Sequence, residues 1–270
     1  MDSLPEDPQK TSLGYHDFAR LRQRGAPYVD KTGFIPLLME KDYQTLLITR
    51  PRRFGKTLNM SMFNCFFSKR YENRRDLFEG FDVFNDEKYI ELQGTYPVIF
   101  LTFAGVKAAN FEDAVFGIKW QISRLFSDYS NYFEEKGDWQ TQKEQQEFEQ
   151  INMSISNSTT EYSLNLLCRL LEKHYGKKVL IILDEYDTPL QEAYVGGYWN
   201  EMVSFIRCLF NNTFKTNPSL ERGLMTGITS VTKESIFSDL NNLNEVTTTS
   251  EEYATAFGFT EAEVFNAIDK

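Results

Sequence analysis

The sequence predicts an α/β fold with a doubly wound, mainly parallel sheet, helices on both faces, and the start of a C-terminal helical segment. Unbroken apolar runs at residues 46–48, 97–103 and 179–183 are typical of strands that are buried on both faces. Stretches with helical spacing separate these runs. Because strands that alternate with helices form parallel sheets, we expect the runs to lie side by side in one sheet.

Length and composition set the domain organisation. The chain has 270 residues, of which 41% are hydrophobic and 15% aromatic, which is enough for a sizeable core and excludes a disordered chain. We expect a flexible N-terminus at residues 1–13 and a core domain over residues 14–245. Within that domain, residues 130–160 are rich in polar side chains, and we expect an exposed insertion there. Residues 246–270 begin the C-terminal helical segment, in which Thr260 and Glu263 form a capping box.

The first apolar run leads into a loop with a distinctive pattern. Residues 50–57, RPRRFGKT, match the phosphate-binding loop (P-loop) pattern GxxxxGK(S/T) except at Arg50, which replaces the first glycine. The helix that follows offers unpaired N–H groups and the positive end of its dipole to a phosphate. Gly55 lets the backbone approach an anion closely. The structural alternative is a basic surface turn, but three arginines in four positions repel one another unless an anion lies among them.

The loop predicts a nucleotide site with defined roles. Lys56 reaches the β- and γ-phosphates, and the Thr57 hydroxyl ligates Mg²⁺. The other residues predicted to bind nucleotide in this loop are Pro51, Arg52, Arg53, Phe54, Gly55 and Leu58.

A second half-motif follows the third apolar run. Asp184 falls at the carboxyl end of the predicted strand, where open α/β sheets place ligands, and is the predicted second Mg²⁺ ligand. Glu185 is the predicted general base that polarises water. Taken alone, the pair fits the start of a solvated loop equally well, but with the P-loop it predicts a nucleoside triphosphatase. Asp187 and Thr188 precede Pro189, so one of them is expected to cap a helix.

Several segments together resemble a known family. They are residues 25–32, 50–57, 78–80, 183–187, 226–227, 233–237 and 240–242. The chain resembles the bacterial AAA-ATPase-like proteins, P-loop ATPases that are often fused to a nuclease-like domain of the PD-(D/E)XK type. The resemblance implies ATP and Mg²⁺ as ligands, a sheet of the AAA-like division, a lid or linker at residues 246–270, and Arg50 as a family trait. Nothing after residue 245 offers the Asp…Glu-x-Lys array of the nuclease, so this chain either lacks that domain or is a fragment, and nuclease activity is not carried over.

The same resemblance assigns further site residues. Tyr28 and Val29 would lie near the adenine, although ordinary core packing explains them equally well. Residues 223–230 form the fourth predicted strand, and Thr229 or Ser230 at its end would sense the γ-phosphate or simply end the strand. Arg222 is a candidate arginine finger, but a solvated position is the favoured interpretation.

The leading functional hypothesis is Mg²⁺-dependent ATP hydrolysis. The alternative is an ATP-bound switch or scaffold with negligible turnover that positions a partner or a missing C-terminal domain. A P-loop kinase is a weaker hypothesis because no acceptor pocket is evident. The net charge of −10 does not support nucleic-acid binding, whereas self-association or a protein partner stays open. No apolar run reaches membrane-spanning length, the N-terminus has no signal-peptide pattern, and the three cysteines fit buried free thiols, so we expect a cytoplasmic protein.

Overall fold

The computed structural model describes residues 15–136, 141–229, 236–237, 240 and 242–268. The predicted flexible N-terminus at residues 1–13 and the sensor candidate Ser230 lie outside these ranges. The described helices are α1 (Phe18–Gln23), α2 (Phe34–Met39), α3 (Lys56–Phe67), α4 (Glu87–Leu92), α5 (Phe111–Lys136), α6 (Gln142–Glu149), α7 (Asn157–Tyr175), α8 (Thr188–Gly196), α9 (Trp199–Phe210) and α10 (Glu261–Ile268). The described strands are β1 (Thr45–Thr49), β2 (Val98–Thr102), β3 (Val179–Asp184), β4 (Leu220–Gly227) and β5 (Leu243–Val246).

The described strands form one sheet in the order β2-β3-β4-β1-β5, flanked by helices. Every pairing between neighbours is parallel, which confirms the predicted parallel α/β sheet. The fourth strand was placed three residues too late. It begins at Leu220, whose side chain is buried and which pairs with Val179, and it ends at Gly227. Strand β5 was not predicted, because its sequence LNEV has no apolar run.

Two compact units divide the described residues. The first unit holds residues 15–41, 52–95 and 250–268, and the second holds 42–51, 96–136, 141–229 and the described part of 236–249.

The second unit contains the sheet and a large apolar core. Side chains of α5, α7, α8 and α9 pack in this core with side chains of the strands. The insertion at residues 130–160 was expected to be exposed, but four of its apolar side chains are buried in the same core: Phe133, Phe148, Ile151 and Ile155. The prediction counted polar residues, whereas these few apolar ones, on α5, on α6 and in the loop between α6 and α7, are buried.

The first unit has an aromatic core. Phe34 packs edge-on against Phe63, Tyr253 and Phe257, with ring centroids 4.8–5.3 Å apart. The C-terminal segment from residue 250 onward is therefore part of this unit, and its Tyr253 and Phe257 side chains lie in the core, whereas residues 246–249 belong to the second unit. The predicted capping box is confirmed, because the Thr260 amide donates to Glu263 Oε2 at 2.7 Å and the Glu263 amide donates to Thr260 Oγ1 at 3.3 Å.

The predicted buried thiols are found at Cys65 and Cys168 but not at Cys208, which is exposed. Cys208 lies on α9, and only one side of that helix faces the core.

Candidate nucleotide-binding site

The N-terminus of α3, in the first unit, has the local geometry of an anion site. Gly55 is its N-cap residue and has φ 75°, a left-handed conformation that favours glycine. As a glycine, this N-cap residue has no side chain to cap the helix, and the first turn contains no acidic residue. The first N–H groups of the helix and the positive end of its dipole therefore remain suited to an anion.

The P-loop residues around Gly55 differ in exposure. Arg52, Arg53 and Phe54 are exposed, whereas Lys56 is buried as the first residue of α3. Thr57 and Leu58 follow on α3 and are half-buried, and Pro51, assigned to the second unit, is exposed. Arg53 has φ 69°, which is uncommon for a residue with a side chain and marks a backbone that its surroundings hold in place.

The C-terminal segment braces the P-loop within the first unit. The Gly258 amide donates to the Phe54 carbonyl at 3.0 Å, and Asn59 Nδ2 of α3 donates to the Ala256 carbonyl at 2.8 Å. Gly258 has φ 74°, and a Cβ there would lie 3.0 Å from the Phe54 ring, so glycine is required. Sequence analysis missed this brace, because no local pattern links residues so far apart in the chain.

Tyr28 packs inside the first unit. Its ring lies 5.4 Å from the ring of Phe18 and 5.3 Å from that of Phe81. Burial and the charge of Asp30 raise the pKa of Tyr28. These contacts account for Tyr28 as a core residue, and a role for it or for half-buried Val29 near adenine stays a prediction.

Lys31 follows Tyr28 and Val29 in the segment at residues 25–32, and it anchors the C-terminal segment. Its Nζ donates to the Thr255 carbonyl at 2.8 Å and to Glu263 Oε1 at 2.7 Å. Lys31 is buried and Glu263 is partly buried. This ion pair therefore holds α10 against the segment at residues 25–32.

Arg50, in the second unit, has its charge satisfied by backbone carbonyls. The side chain is 4% exposed, and Nη1 donates to the carbonyls of Thr49 at 3.0 Å, Val246 at 3.4 Å and Thr247 at 2.5 Å. Burial lowers the pKa of Arg50. The guanidinium ties the end of β1 to the end of β5. The argument that an anion lies among Arg50, Arg52 and Arg53 therefore loses the contribution of Arg50, and for the other two it stays a prediction.

Asp184 is the last residue of β3, at the carboxyl end of the strand as predicted. It is 1% exposed, and Thr226 Oγ1 donates to Asp184 Oδ1 at 2.6 Å. Thr226 lies on the neighbouring strand β4. This bond fixes the orientation of a carboxylate whose oxygen atoms are the ligand type that Mg²⁺ prefers.

Glu185 has a strained backbone. Its φ of 51° lies in the left-handed region, which is costly for a residue with a Cβ. Thr188 Oγ1 donates to Glu185 Oε2 at 3.2 Å, and the amide of the next residue, Tyr186, donates to the Thr226 carbonyl at 3.0 Å. Both the carboxylate and the backbone of the predicted base are therefore held by neighbouring groups.

Asp187 occupies the N-cap position of α8, but its side chain does not cap that helix. Instead Oδ2 accepts hydrogen bonds from the amides of Ile228 at 2.9 Å and Thr229 at 2.8 Å, and from Thr229 Oγ1 at 2.8 Å. The expectation that Asp187 or Thr188 caps this helix is met in position, since Asp187 is the N-cap residue, but not in a side-chain bond, because the end of β4 supplies the donors to its carboxylate. The Thr229 hydroxyl proton is directed to Asp187, and a γ-phosphate sensor role for Thr229 stays a prediction. The less favoured finger candidate, Arg222, lies inside β4 and is half-buried.

Comparison with known proteins identifies the family. A sequence profile described as "Predicted AAA-ATPase" matches residues 12–237. The chain belongs to the AAA-ATPase-like family. The resemblance inferred from the P-loop and from residues 183–187 is thereby confirmed, and membership supports nucleotide binding in general.

A relative of this AAA-ATPase-like chain is the "Uncharacterized protein in vnfD 5'region" of Azotobacter chroococcum mcd 1. The two are 25% identical over 258 residues, which cover 95% of this chain and 44% of the relative. The chain thus spans less than half of that relative's length. No solved structure matches the chain.

Two further features concern metals and membranes. Within the ranges that the structure describes, no three His, Cys, Asp or Glu side chains are grouped as a metal site. The Mg²⁺ prediction therefore rests on one hydroxyl, that of Thr57, and one carboxylate, that of Asp184.

None of the described helices combines the length and the apolar character needed to cross a membrane.

Proposed function

We propose that this chain binds and hydrolyses ATP in a Mg²⁺-dependent reaction, as a doubly wound P-loop ATPase of the AAA-like division. The observation that carries the proposal is the N-terminus of α3. Its N-cap residue is a left-handed glycine, which has no side chain of its own to cap the helix, and its first two residues are Lys56 and Thr57. A helix start of this kind favours a phosphate through its N–H groups and its dipole.

The loop residues have separate proposed roles toward ATP. Backbone N–H groups of the 51–57 loop, from Arg52 onward because Pro51 has no N–H, cradle the β-phosphate. Lys56 neutralises charge at the bridge between the β- and γ-phosphates. Arg52 and Arg53 are exposed immediately before the helix start and add positive charge for the phosphates. Tyr28 and Val29 remain the proposed adenine neighbours, on the family pattern alone.

The proposed magnesium ligands are Thr57 and Asp184, an assignment that rests on the motif pattern. The buried, hydrogen-bonded carboxylate of Asp184 fits a hard cation, since Mg²⁺ prefers oxygen ligands. When bound, Mg²⁺ would neutralise charge on the phosphate oxygens. Glu185 is the proposed base that orients the attacking water and accepts its proton, and the bond from Thr188 aims its carboxylate.

Sheet order supports the AAA-like division. Strand β4 lies between β1, which precedes the P-loop, and β3, which ends in Asp184. In the chain, β2 also lies between these two motif strands. Such an extra strand, together with Glu185 directly after Asp184, is what the family resemblance implies for the AAA-like division.

Phosphate release from Mg²⁺-ATP tests the proposal. We expect turnover by the parent chain and a loss of about 100-fold or more in Lys56→Ala and in Glu185→Gln, the scale for preorganised charge and general bases. Lys143→Ala and Glu201→Gln are matched controls, because both side chains are exposed on helices of the second unit, and they should keep parental turnover. Parental turnover in Lys56→Ala and Glu185→Gln would overturn the proposal.

One observation favours a second function, an ATP-bound switch or scaffold with negligible turnover. The C-terminal segment contacts the P-loop directly through the bond from Gly258 to Phe54, so the state of the loop is coupled to the position of this segment. ATP binding that is lost in Lys56→Ala, with no phosphate release by the parent, would favour this function over hydrolysis.

A further inference from the structure

Two polar segments of the second unit are joined by side chains. We call residues 184–187 the carboxylate loop and residues 226–229 the β4 end. Three members of the carboxylate loop have side-chain bonds to the β4 end: Asp184 to Thr226, Tyr186 to the Thr229 carbonyl, and Asp187 to Ile228 and Thr229. The fourth member is Glu185, the strained residue proposed as the base.

One carboxylate oxygen of Asp187 accepts four hydrogen bonds. Asp187 is 0% exposed, and its Oδ2 accepts from two backbone amides, from the Thr229 hydroxyl and from Gln191 Nε2 at 2.7 Å. A buried carboxylate that accepts several N–H and O–H bonds is held in one orientation. These bonds orient the Asp187 carboxylate in addition to its position as the N-cap residue of α8.

Glycine at position 227 makes this approach possible. A Cβ on Gly227 would lie 2.6 Å from the Tyr186 ring, 2.8 Å from Asp187 Oδ1 and 2.9 Å from Asp187 Cγ. The carboxylate loop therefore packs directly on the backbone of the β4 end. Residues 226–227 belong to the segments that resemble the family, but the motifs assign them no role.

We infer that Asp187 is a positioning residue, and that its bonds to Ile228 and Thr229 hold the Glu185 carboxylate in place for the proposed hydrolysis. Glu185 has a left-handed backbone that relaxes unless both of its flanks are fixed. On one side Asp184 is held by Thr226. On the other side Asp187 is held by the β4 end, which leaves the strained residue no freedom to turn.

The inference rests on the proposed function for its kinetic test. In Asp187→Ala we expect kcat for ATP to fall by about 100-fold, the scale for a catalytic group that is misplaced by about 1 Å, while ATP affinity changes little. Gln191→Ala is the matched control, since it removes a donor to the same oxygen and leaves the bonds to the β4 end intact. A parental kcat in Asp187→Ala overturns the inference, as does an equal loss in Gln191→Ala.

Thr229 supplies a milder pair of variants if Asp187→Ala does not fold. Thr229→Val removes the hydroxyl donor and should lower kcat, whereas Thr229→Ser keeps the donor and should restore it. A γ-phosphate sensor predicts the same pattern of kcat. Where Asp187→Ala folds, the double variant separates the two explanations; where it does not fold, faster exchange of the Ile228 amide in Thr229→Val supports the brace, and unchanged exchange overturns it. If Asp187 and Thr229 form one brace, Asp187→Ala with Thr229→Val is no slower than Asp187→Ala alone. Losses that multiply would overturn the brace.

Amide hydrogen exchange tests the brace without turnover. In the parent the amides of Ile228 and Thr229 should be protected, and Asp187→Ala should remove that protection. The Asn59 amide, which donates to Gly55 in the first unit, should keep its exchange rate. If the parent does not hydrolyse ATP, the proposed function fails and this measurement alone decides. Loss of protection at residues 228 and 229 then supports the brace, and unchanged protection overturns it.

Discussion

Replacing Arg50 by glycine restores the usual P-loop pattern, and we expect it to destabilise the protein. The guanidinium is buried and donates to three carbonyls, of Thr49, Val246 and Thr247. Arg50→Gly removes all three bonds and leaves the ends of β1 and β5 without this connection. A variant that looks like a repair of the motif should therefore weaken the sheet.

The magnitude follows from the geometry. The bonds to Thr49 and Thr247 are short, and hydrogen bonds to charged groups contribute about 1.5–3 kcal/mol each, while the 3.4 Å bond to Val246 adds little. Glycine adds a further cost of about 0.5–1 kcal/mol through backbone entropy. Relief from burying the charge offsets part of this loss. We expect a net loss of about 3 kcal/mol, which lowers Tm by about 6–12 °C.

Thermal unfolding followed by circular dichroism measures the effect, with Arg52→Gly as the matched control. Arg52 is exposed and lies two residues further along the same loop, so its replacement tests the same chemical change without the buried bonds. We expect Arg52→Gly to lower Tm by a few degrees at most. Equal Tm values for the two variants would refute the reasoning. A loss of ATP affinity in Arg50→Gly at an unchanged Tm would show that the guanidinium serves the phosphates instead.

Two further predictions concern backbone strain and pH. In urea denaturation, Glu185→Gly should be more stable than Glu185→Ala by about 1 kcal/mol. Both variants lack the carboxylate, but only glycine adopts φ 51° without strain. Equal stability of the two variants would show that the backbone is not strained. Burial raises the pKa of Glu263, but the hydrogen bond and charge of Lys31 and the Thr260 cap outweigh burial and hold that pKa below its usual range. The carboxylate therefore stabilises the protein above about pH 4.5 and ceases to do so as pH falls through the lowered pKa. Lys31→Met should accordingly lower the free energy of unfolding by about 1 kcal/mol at pH 7, which is seen as a lower Tm, and by less at pH 3. A loss that does not depend on pH would contradict the ion pair.

Sequence patterns predicted the local parts of the candidate site. Gly55 lies in a left-handed conformation at the start of α3, and Asp184 ends β3. Both follow from local chemistry, since a glycine before a helix and an acidic residue after an apolar run act through their immediate neighbours. The partners of these motifs were missed. The contacts of Arg50 with Thr247 and of Asp187 with Thr229 join segments that no periodicity connects.

The sequence by itself determined a parallel α/β sheet, the start of the P-loop helix and the family to which the chain belongs. Periodicity and glycine positions are enough for these features, because they depend on residues close together in the chain. Only the tertiary structure decided that β1 lies between β4 and β5. That order brings the carbonyls of β5 to Arg50. It also sets β4 beside β3, where the β4 end meets the carboxylate loop, because parallel strands end at the same edge of a sheet.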